Sequence, residues 1–343
     1  MVVTITDVGF GGEGVGRHED QVVFVPFVAV GEKVKVHVVK KNRRFLRAEL
    51  VEVIEPSHQR VTPACPYFTV CGGCNYQHLN YQEQLRLKEE QIRQILKRIG
   101  KIQAPPVSPI LASPESYYYR NRIVVHAEKG KIGFRARDGK TLVDIKRCAI
   151  ASEEVNEKLK SLRQQNFRTG HYSLREDSLP PIGFYQTNRY LLEKLREVVI
   201  GSLPPSGASL MEGYCGNGFF TIQAAQRFKK VVAVDTDARS LQQAPALANV
   251  TWKQESIETT LARESAEVLL VDPTREGLNE ETLNLLNQKS ISTCVYVSCN
   301  PATLARDIHR LANKYVLKSV QPIDLFPQTA HIEMVAVLEC KLS

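Results

Sequence analysis

At 343 residues the chain is long enough for two or three domains with cores of their own. Its 43% hydrophobic content excludes a disordered polymer, and no run reaches the roughly 20 apolar residues of a membrane-spanning helix. Lys and Arg outnumber Asp and Glu by 45 to 37, and the resulting charge of +8 suits a polyanionic partner without specifying one.

Residues 1–54 read as about five short strands. Val22–Pro26 is β-rich, and Lys33–Val39 alternates with the period of two that a half-buried strand shows. Gly9, Gly11, Gly12, Gly14 and Gly16 mark a turn-rich hairpin, and the basic run Lys40–Arg47 falls between strands. That pattern predicts a small OB-like barrel, a shape that often carries nucleic acid on a basic groove. The start of the chain, Met1-Val2-Val3-Thr4, lacks a basic segment followed by an apolar one, so no secretion signal is expected and a cytoplasmic protein is.

Residues 55–178 predict a mixed α+β unit. A strongly basic helix is expected near Tyr81–Ile99, carrying Arg86, Lys88, Arg93, Lys97 and Arg98. A strand follows at Ile123–Ala127, then a hairpin over 130–144 turning at Asp138-Gly139. Tyr117-Tyr118-Tyr119-Arg120-Asn121-Arg122 offers aromatic and cationic groups that could stack bases and hold phosphates, with ordinary strand packing as the alternative.

From residue 179 to 343 strand and helix patterns alternate, which implies a doubly wound, mostly parallel α/β sheet. Strands are expected near Ser209–Glu212, Val231–Asp235, Val268–Val271, Cys294–Ser298 and Glu333–Cys340. Helices are expected near Arg189–Ile200, Thr221–Arg227, Ala238–Asn249, Asn279–Asn287 and Pro301–Ala312.

Three constellations carry chemistry. The strand ending at Ser298 stops at Cys299-Asn300-Pro301, and Pro301 suits the first position of a helix. A sulfur at a strand end beside a helix N-terminus is expected to favour thiolate, making Cys299 a candidate covalent nucleophile. Met211-Glu212-Gly213-Tyr214-Cys215-Gly216-Asn217-Gly218-Phe219-Phe220 follows the first strand of the sheet, Asp235 ends the second, and Asp272-Pro273-Thr274-Arg275 ends the third. These ends converge where open α/β sheets bind ligands, and Asp235 sits where nucleotide-binding sheets place a ribose-binding acid. The glycines do not form the dinucleotide fingerprint; they match an S-adenosylmethionine site, which has no pyrophosphate to cradle. Lastly, Cys65, Cys71 and Cys74 lie within ten residues and Cys148 stands alone. Without a secretion signal a disulfide framework is not expected. The three-plus-one spacing favours a 4Fe-4S cluster over zinc, which usually pairs two CxxC units.

Taken together, these motifs, with Phe184-Tyr185-Gln186-Thr187-Asn188 and His331-Ile332-Glu333-Met334-Val335, resemble the RNA uracil-5-methyltransferase family over almost the whole chain. The closest likeness is to the bacterial 23S ribosomal RNA branch, which carries an N-terminal TRAM barrel and an iron–sulfur cluster; the tRNA branch typically lacks both. The resemblance implies a TRAM barrel at 1–54, a central α+β domain with the cluster at 55–178, and a Rossmann-like class I methyltransferase domain at 179–343. It further implies that Gln186, Tyr214, Asp235 and Asp272 bind S-adenosylmethionine, that Cys299 is the nucleophile, and that Glu333 is the base. Cys65, Cys71, Cys74 and Cys148 would hold the cluster. A monomer acting on 23S rRNA, away from membranes, is the expectation.

Two positions depart from the family pattern. Thr274 replaces the second proline of Asp-Pro-Pro-Arg, and Ser256, with Glu255 beside it, stands where an aspartate is common. A tRNA uracil-5-methyltransferase and a non-catalytic RNA-binding protein that keeps the fold are the competing expectations. Cytosine-5 methylation is disfavoured, because that chemistry normally uses Pro-Cys and here Ser298 precedes the cysteine.

Overall fold

Valine-rich alternation closes the N-terminal segment on itself. The computed structural model describes residues 1–178 and 186–341. Strands β1 (Val2–Val8), β2 (Glu13–His18), β3 (Gln21–Pro26), β4 (Lys33–Lys41) and β5 (Phe45–Glu55) form a closed barrel in the order β1-β2-β3-β5-β4. In β4, Val34 and Val36 point inward while Lys33, Lys35 and His37 point to solvent, as a period of two requires. Val3, Ile5, Val23, Val25 and Leu46 complete the interior.

Helix α1 (Tyr81–Arg98) starts where Asn80 accepts a hydrogen bond from the Glu83 amide. It is followed by β6 (Arg122–Glu128), β7 (Lys131–Arg135), β8 (Leu142–Asp144), α2 (Glu153–Gln164) and β9 (Gly170–Arg175). The strands make an antiparallel sheet ordered β8-β7-β6-β9. The hairpin turn forms at Asp138-Gly139 as expected, with Asp138 accepting from the amides of Lys140 and Thr141.

The C-terminal part runs α3 (Leu192–Ser202), β10 (Gly207–Gly213), α4 (Thr221–Ala224), β11 (Phe228–Asp235), α5 (Ala238–Leu241), β12 (Val250–Gln254), α6 (Ile257–Arg263), β13 (Val268–Val271), α7 (Glu280–Gln288), β14 (Thr293–Ser298), α8 (Pro301–Leu311), β15 (Tyr315–Ile323) and β16 (Glu333–Cys340). Its seven strands lie in the order β12-β11-β10-β13-β14-β16-β15, parallel except for β16, which runs antiparallel to both neighbours. All four residues of β13 are buried. Leu269 and Val271 join the core on one face, Val268 and Leu270 the core on the other, the mark of a sheet covered on both sides.

The helix expected over Ala238–Asn249 stops at Leu241. Pro245 cannot donate to a helix and pushes the residue before it towards extended backbone; its carbonyl instead accepts from the Trp252 indole at 3.1 Å. Among the described residues, no helix is long and apolar enough to cross a membrane.

The basic helix α1 serves packing more than it serves a polyanion. Ile92 and Leu96 enter the core of the seven-stranded sheet, Lys88 is fully buried against Asp324 at 2.6 Å, and Arg93 is held by Glu89 and the Val107 carbonyl. The tyrosine run is split: Tyr119 is buried and donates to the Pro327 carbonyl at 3.0 Å, Tyr117 is half-buried and Tyr118 is exposed.

Candidate active site

The sheet register builds the site. β14 pairs antiparallel with β16, with Ser298 opposite Met334. One step further along both strands sets Cys299 against Glu333. On the other side of β14, β13 ends at Val271 and delivers Asp272 and Arg275 to the same rim.

Asn300 fixes the cysteine loop. Its side chain caps α8 through the Ala302 amide at 3.0 Å, and its Nδ2 donates to the Arg275 carbonyl at 3.0 Å. Thr303 donates to that same carbonyl at 3.2 Å. The loop that lacks the family's second proline is therefore tied to the cysteine loop by hydrogen bonds and closed by a turn from the Gly277 amide to the Thr274 carbonyl.

Electrostatics at the rim differ from the expectation for Cys299. Its thiol is pushed up to about 11, first by burial and then by the charges of Glu333 and Asp272, while Arg275 alone among the charged neighbours pulls it down. The helix end does not outweigh two carboxylates and a partly desolvated sulfur, so the resting group is a thiol. Burial also raises Glu333 well above the ordinary carboxylate range, with Asp272 adding to the shift and Arg275 opposing it. Asp272 is raised to about 7 by burial. Two carboxyl groups this close share protons as a pair. His331 is pushed down to about 4, by burial and then by Arg275, and is neutral at pH 7; its ring nitrogen lies 3.4 Å from an Arg275 Nη.

Next along the rim is the glycine loop. Tyr214 sits at φ +62° and is half-buried. Asp235 takes the Gly216 amide on one carboxylate oxygen and the Asp237 amide on the other, both at 2.8 Å. Gly218, at φ +91°, has no room for a Cβ, which would meet the Trp252 ring at 2.5 Å. Glu212, which no sequence motif singles out, is buried beneath the loop. It accepts from the Thr221 hydroxyl at 2.6 Å and is raised to about 8 by burial. Gln186 is buried, its carbonyl accepting from Asn121 at 2.9 Å; Phe184 and Tyr185, from the same motif, lie outside the described residues. Ser256 caps α6, and the Glu255 carboxylate is engaged by Thr260 and Arg263. Arg275 and Asn300 stand out in the sequence only as parts of motifs. Their position at strand ends beside a candidate nucleophile is the signal that could have marked them.

Cys65, Cys71, Cys74 and Cys148 line one cavity of about 80 Å³, together with Phe134 and Arg120. Burial pushes Cys74 up to about 12 and Cys148 up to about 11. Asn156 holds Cys148 by accepting from its amide at 2.8 Å. Among the described residues no group of three or more His, Cys, Asp or Glu is arranged to hold a metal ion. All eight cysteines are free thiols.

The family model described as tRNA (Uracil-5-)-methyltransferase matches residues 146–269 and 254–341, and the TRAM domain model matches residues 1–51. An uncharacterized RNA methyltransferase of Aquifex aeolicus is 30% identical, with 99% of each chain covered. The chain belongs to the tRNA (uracil-5-)-methyltransferase family. It is an RNA methyltransferase with a TRAM-type barrel. A second uncharacterized RNA methyltransferase, from Bdellovibrio bacteriovorus, is 30% identical over 98% of this chain and 94% of its own. The Aquifex alignment spans 419 positions against the 343 residues here, so this family member is short of segments that its relative carries. Among solved structures, the Pyrococcus abyssi tRNA (uracil-54, C5)-methyltransferase in complex with S-adenosyl-L-homocysteine superimposes with a TM-score of 0.77. It is 24% identical and is covered over 98% of this chain and all of its own, which establishes a shared class I methyltransferase fold.

Proposed function

We propose that this methyltransferase transfers a methyl group from S-adenosylmethionine to C5 of a uracil in RNA, with Cys299 as nucleophile and Glu333 as base. The observation that carries this reading is the β14–β16 register, which brings the two residues face to face beside Asp272 and Arg275.

The residues present fit the methyl donor. Gly218 lets the loop pack against the Trp252 ring, Asp235 braces the loop through the Gly216 amide, and Tyr214, Gln186 and Asp272 would supply polar and aromatic contacts to the donor. S-adenosylmethionine supplies an electrophilic methyl on a sulfonium. Uracil C5 is too weak a nucleophile to take it unaided. The target base leaves its stack, at a cost of a few kcal/mol. Cys299 gives its proton to solvent, with Arg275 favouring the anion, and its sulfur forms a bond to C6. The C5–C6 π pair moves onto C5, which bonds to the methyl as the sulfonium keeps the electrons of the broken bond. Glu333, whose carboxyl is raised in the resting site, first gives up its proton to solvent, and the carboxylate so formed takes the C5 proton. The C–H pair rebuilds the double bond and expels Cys299 as thiolate.

Four thiols line one cavity, and Cys65, Cys71, Cys74 and Cys148 would hold an iron–sulfur cluster there as a structural element. The resemblance in the thiol set and the TRAM barrel points to 23S rRNA as substrate, with tRNA as the alternative that the test below distinguishes.

Purified protein is incubated with 5-fluorouridine-containing 23S rRNA or tRNA fragments and the methyl donor, and denaturation-stable protein–RNA complex is scored. Wild type is expected to form it with rRNA and Cys299→Ala is not. Complex with tRNA alone moves the substrate to tRNA. No complex with either RNA favours a binding protein that keeps the fold.

A further inference from the structure

Glu333 begins its strand straight out of a buried turn, and that turn is held by a distant part of the chain. Gln328 lies in it, 3% exposed and at φ +68°, a conformation non-glycine residues rarely adopt. Its carbonyl accepts from the amides of Asn75 and Tyr76, both at 3.0 Å. Its own amide donates to Gln84 Oε1 at 2.9 Å, and its Oε1 accepts from Gln84 Nε2 at 3.0 Å. Gln84, fully buried, also donates to the Leu79 carbonyl at 2.9 Å. Asn75 reaches forward as well, accepting from the Ala330 amide at 3.3 Å. Every one of these partners lies within 75–84, immediately after Cys74 in the thiol cavity.

The turn, which joins β15 to β16, is thus held from outside the methyltransferase sheet as well as by the pairing of those two strands. Three residues past Gln328 is His331, against Arg275; five past it is Glu333, against Cys299. A rotation of the turn would act on Glu333 at the first position of β16, where it pairs with Ile323 of β15, whereas Cys299, just past the end of β14, is anchored separately through Asn300.

We propose that the reciprocal amide pair Gln84–Gln328 positions Glu333 for proton abstraction and so links the segment following the thiol cavity to the base step. Both are positioning residues acting through Glu333. The proposal rests on the reading of Cys299 and Glu333 given above. It predicts a split between two steps: nucleophilic addition and methyl transfer depend on β14, removal of the C5 proton on the turn.

The test uses the full-length protein carrying Gln84→Met, which removes both amide interactions at similar volume, and Gln328→Gly, which keeps the left-handed backbone and removes only the side chain. Single-turnover methyl transfer, tritium release from C5-labelled uridine RNA, and denaturation-stable complex with unsubstituted RNA are followed in parallel. Gln84→Met is expected to transfer methyl within about threefold of wild type and to release tritium about 10- to 100-fold more slowly, the scale of a misplaced reacting group. Complex with ordinary uridine RNA then accumulates, and Gln328→Gly does the same to a smaller degree. Tritium release at the wild-type rate overturns the proposal. So does an equal fall in both steps without accumulated complex, since that marks a general loss of structure. If wild type itself traps no complex with 5-fluorouridine RNA, the assignment of Cys299 and Glu333 fails instead.

Discussion

At Cys299 the decisive quantity is how much anion the site allows. A helix N-terminus contributes a fraction of a charge over the first turn, and Asn300 already uses part of it by capping Ala302. Burial and two carboxylates act in the opposite sense. Arg275 is the group that keeps the thiol reactive, so Arg275→Met is expected to slow alkylation of Cys299 by iodoacetamide at pH 8 by about three- to tenfold, since one pKa unit is a tenfold change in thiolate. The rate is read at the Cys299 peptide by mass spectrometry, because seven other thiols are present. An unchanged rate would remove Arg275 from the mechanism. Glu212 makes a second test. Its folded-state value, raised to about 8, lies above that of an unfolded carboxyl, so the native state holds the extra proton between them. Stability must then fall as pH rises through that window, by about 1.4 kcal/mol per pH unit up to about pH 8 for this group. Glu212→Gln is expected to flatten the decline between pH 6.5 and 8 in urea titrations.

At the scale of elements, the short motif strands are legible in the sequence and the connections are not. The sequence pattern places strand β13 with its observed ends, and β14, β16 and α8 to within a residue, because each combines a dense apolar run with a sharp stop such as Pro301 or Asp272. The candidate site follows from them, since strand ends on one side of a parallel sheet meet. Strands β12 and β15 and helix α6 escape the pattern. In β12 no residue is fully buried, so alternation is weak, and the nine-residue β15 carries Lys318, Ser319 and Gln321 among its apolar positions. Helix α1 shows the converse failure. Its number of cations suggests a polyanion, yet Lys88 faces inward to Asp324, a pairing of residues 236 apart that no local pattern reveals. The β10–α4 loop is legible from its glycines, and Gly218 lets its role be tested. Gly218→Ala must place a methyl where the Trp252 ring stands, at a left-handed φ. It is expected to cost about 1–3 kcal/mol of stability and to weaken S-adenosylmethionine binding by calorimetry more than RNA binding. Equal losses would count against a donor site at this loop.

Over the whole molecule, the barrel is joined to the rest by polar contacts that fix its orientation. Arg60 donates to Glu32 and to the Phe27 carbonyl at 2.8 Å, His78 bonds the Val28 carbonyl at 3.1 Å, and the Arg137 guanidinium lies 4.6 Å from the centre of the Phe27 ring. Burial tends to raise the Glu32 carboxyl, but Arg60 and the Ala29 amide more than compensate and hold it below its ordinary value, so this joint persists as an ion pair at neutral pH. A barrel held this way carries a basic edge away from these contacts. The edge is the β4–β5 connection, where Lys40, Lys41, Arg43 and Arg44 are exposed. Cations there act on RNA phosphates without reading sequence, and each phosphate they neutralise releases counterions. Arg43→Gln with Arg44→Gln is therefore expected to weaken RNA binding across sequences and to lower the slope of log affinity against log salt by about 0.7 for each phosphate no longer neutralised. If the barrel grips RNA and the sheet site performs the proposed chemistry, the single-turnover rate at saturating RNA stays near that of wild type. A double variant whose salt slope matches wild type would place the RNA elsewhere on the surface. One whose turnover fell at saturation would show that the barrel orients the target base as well as gripping the strand.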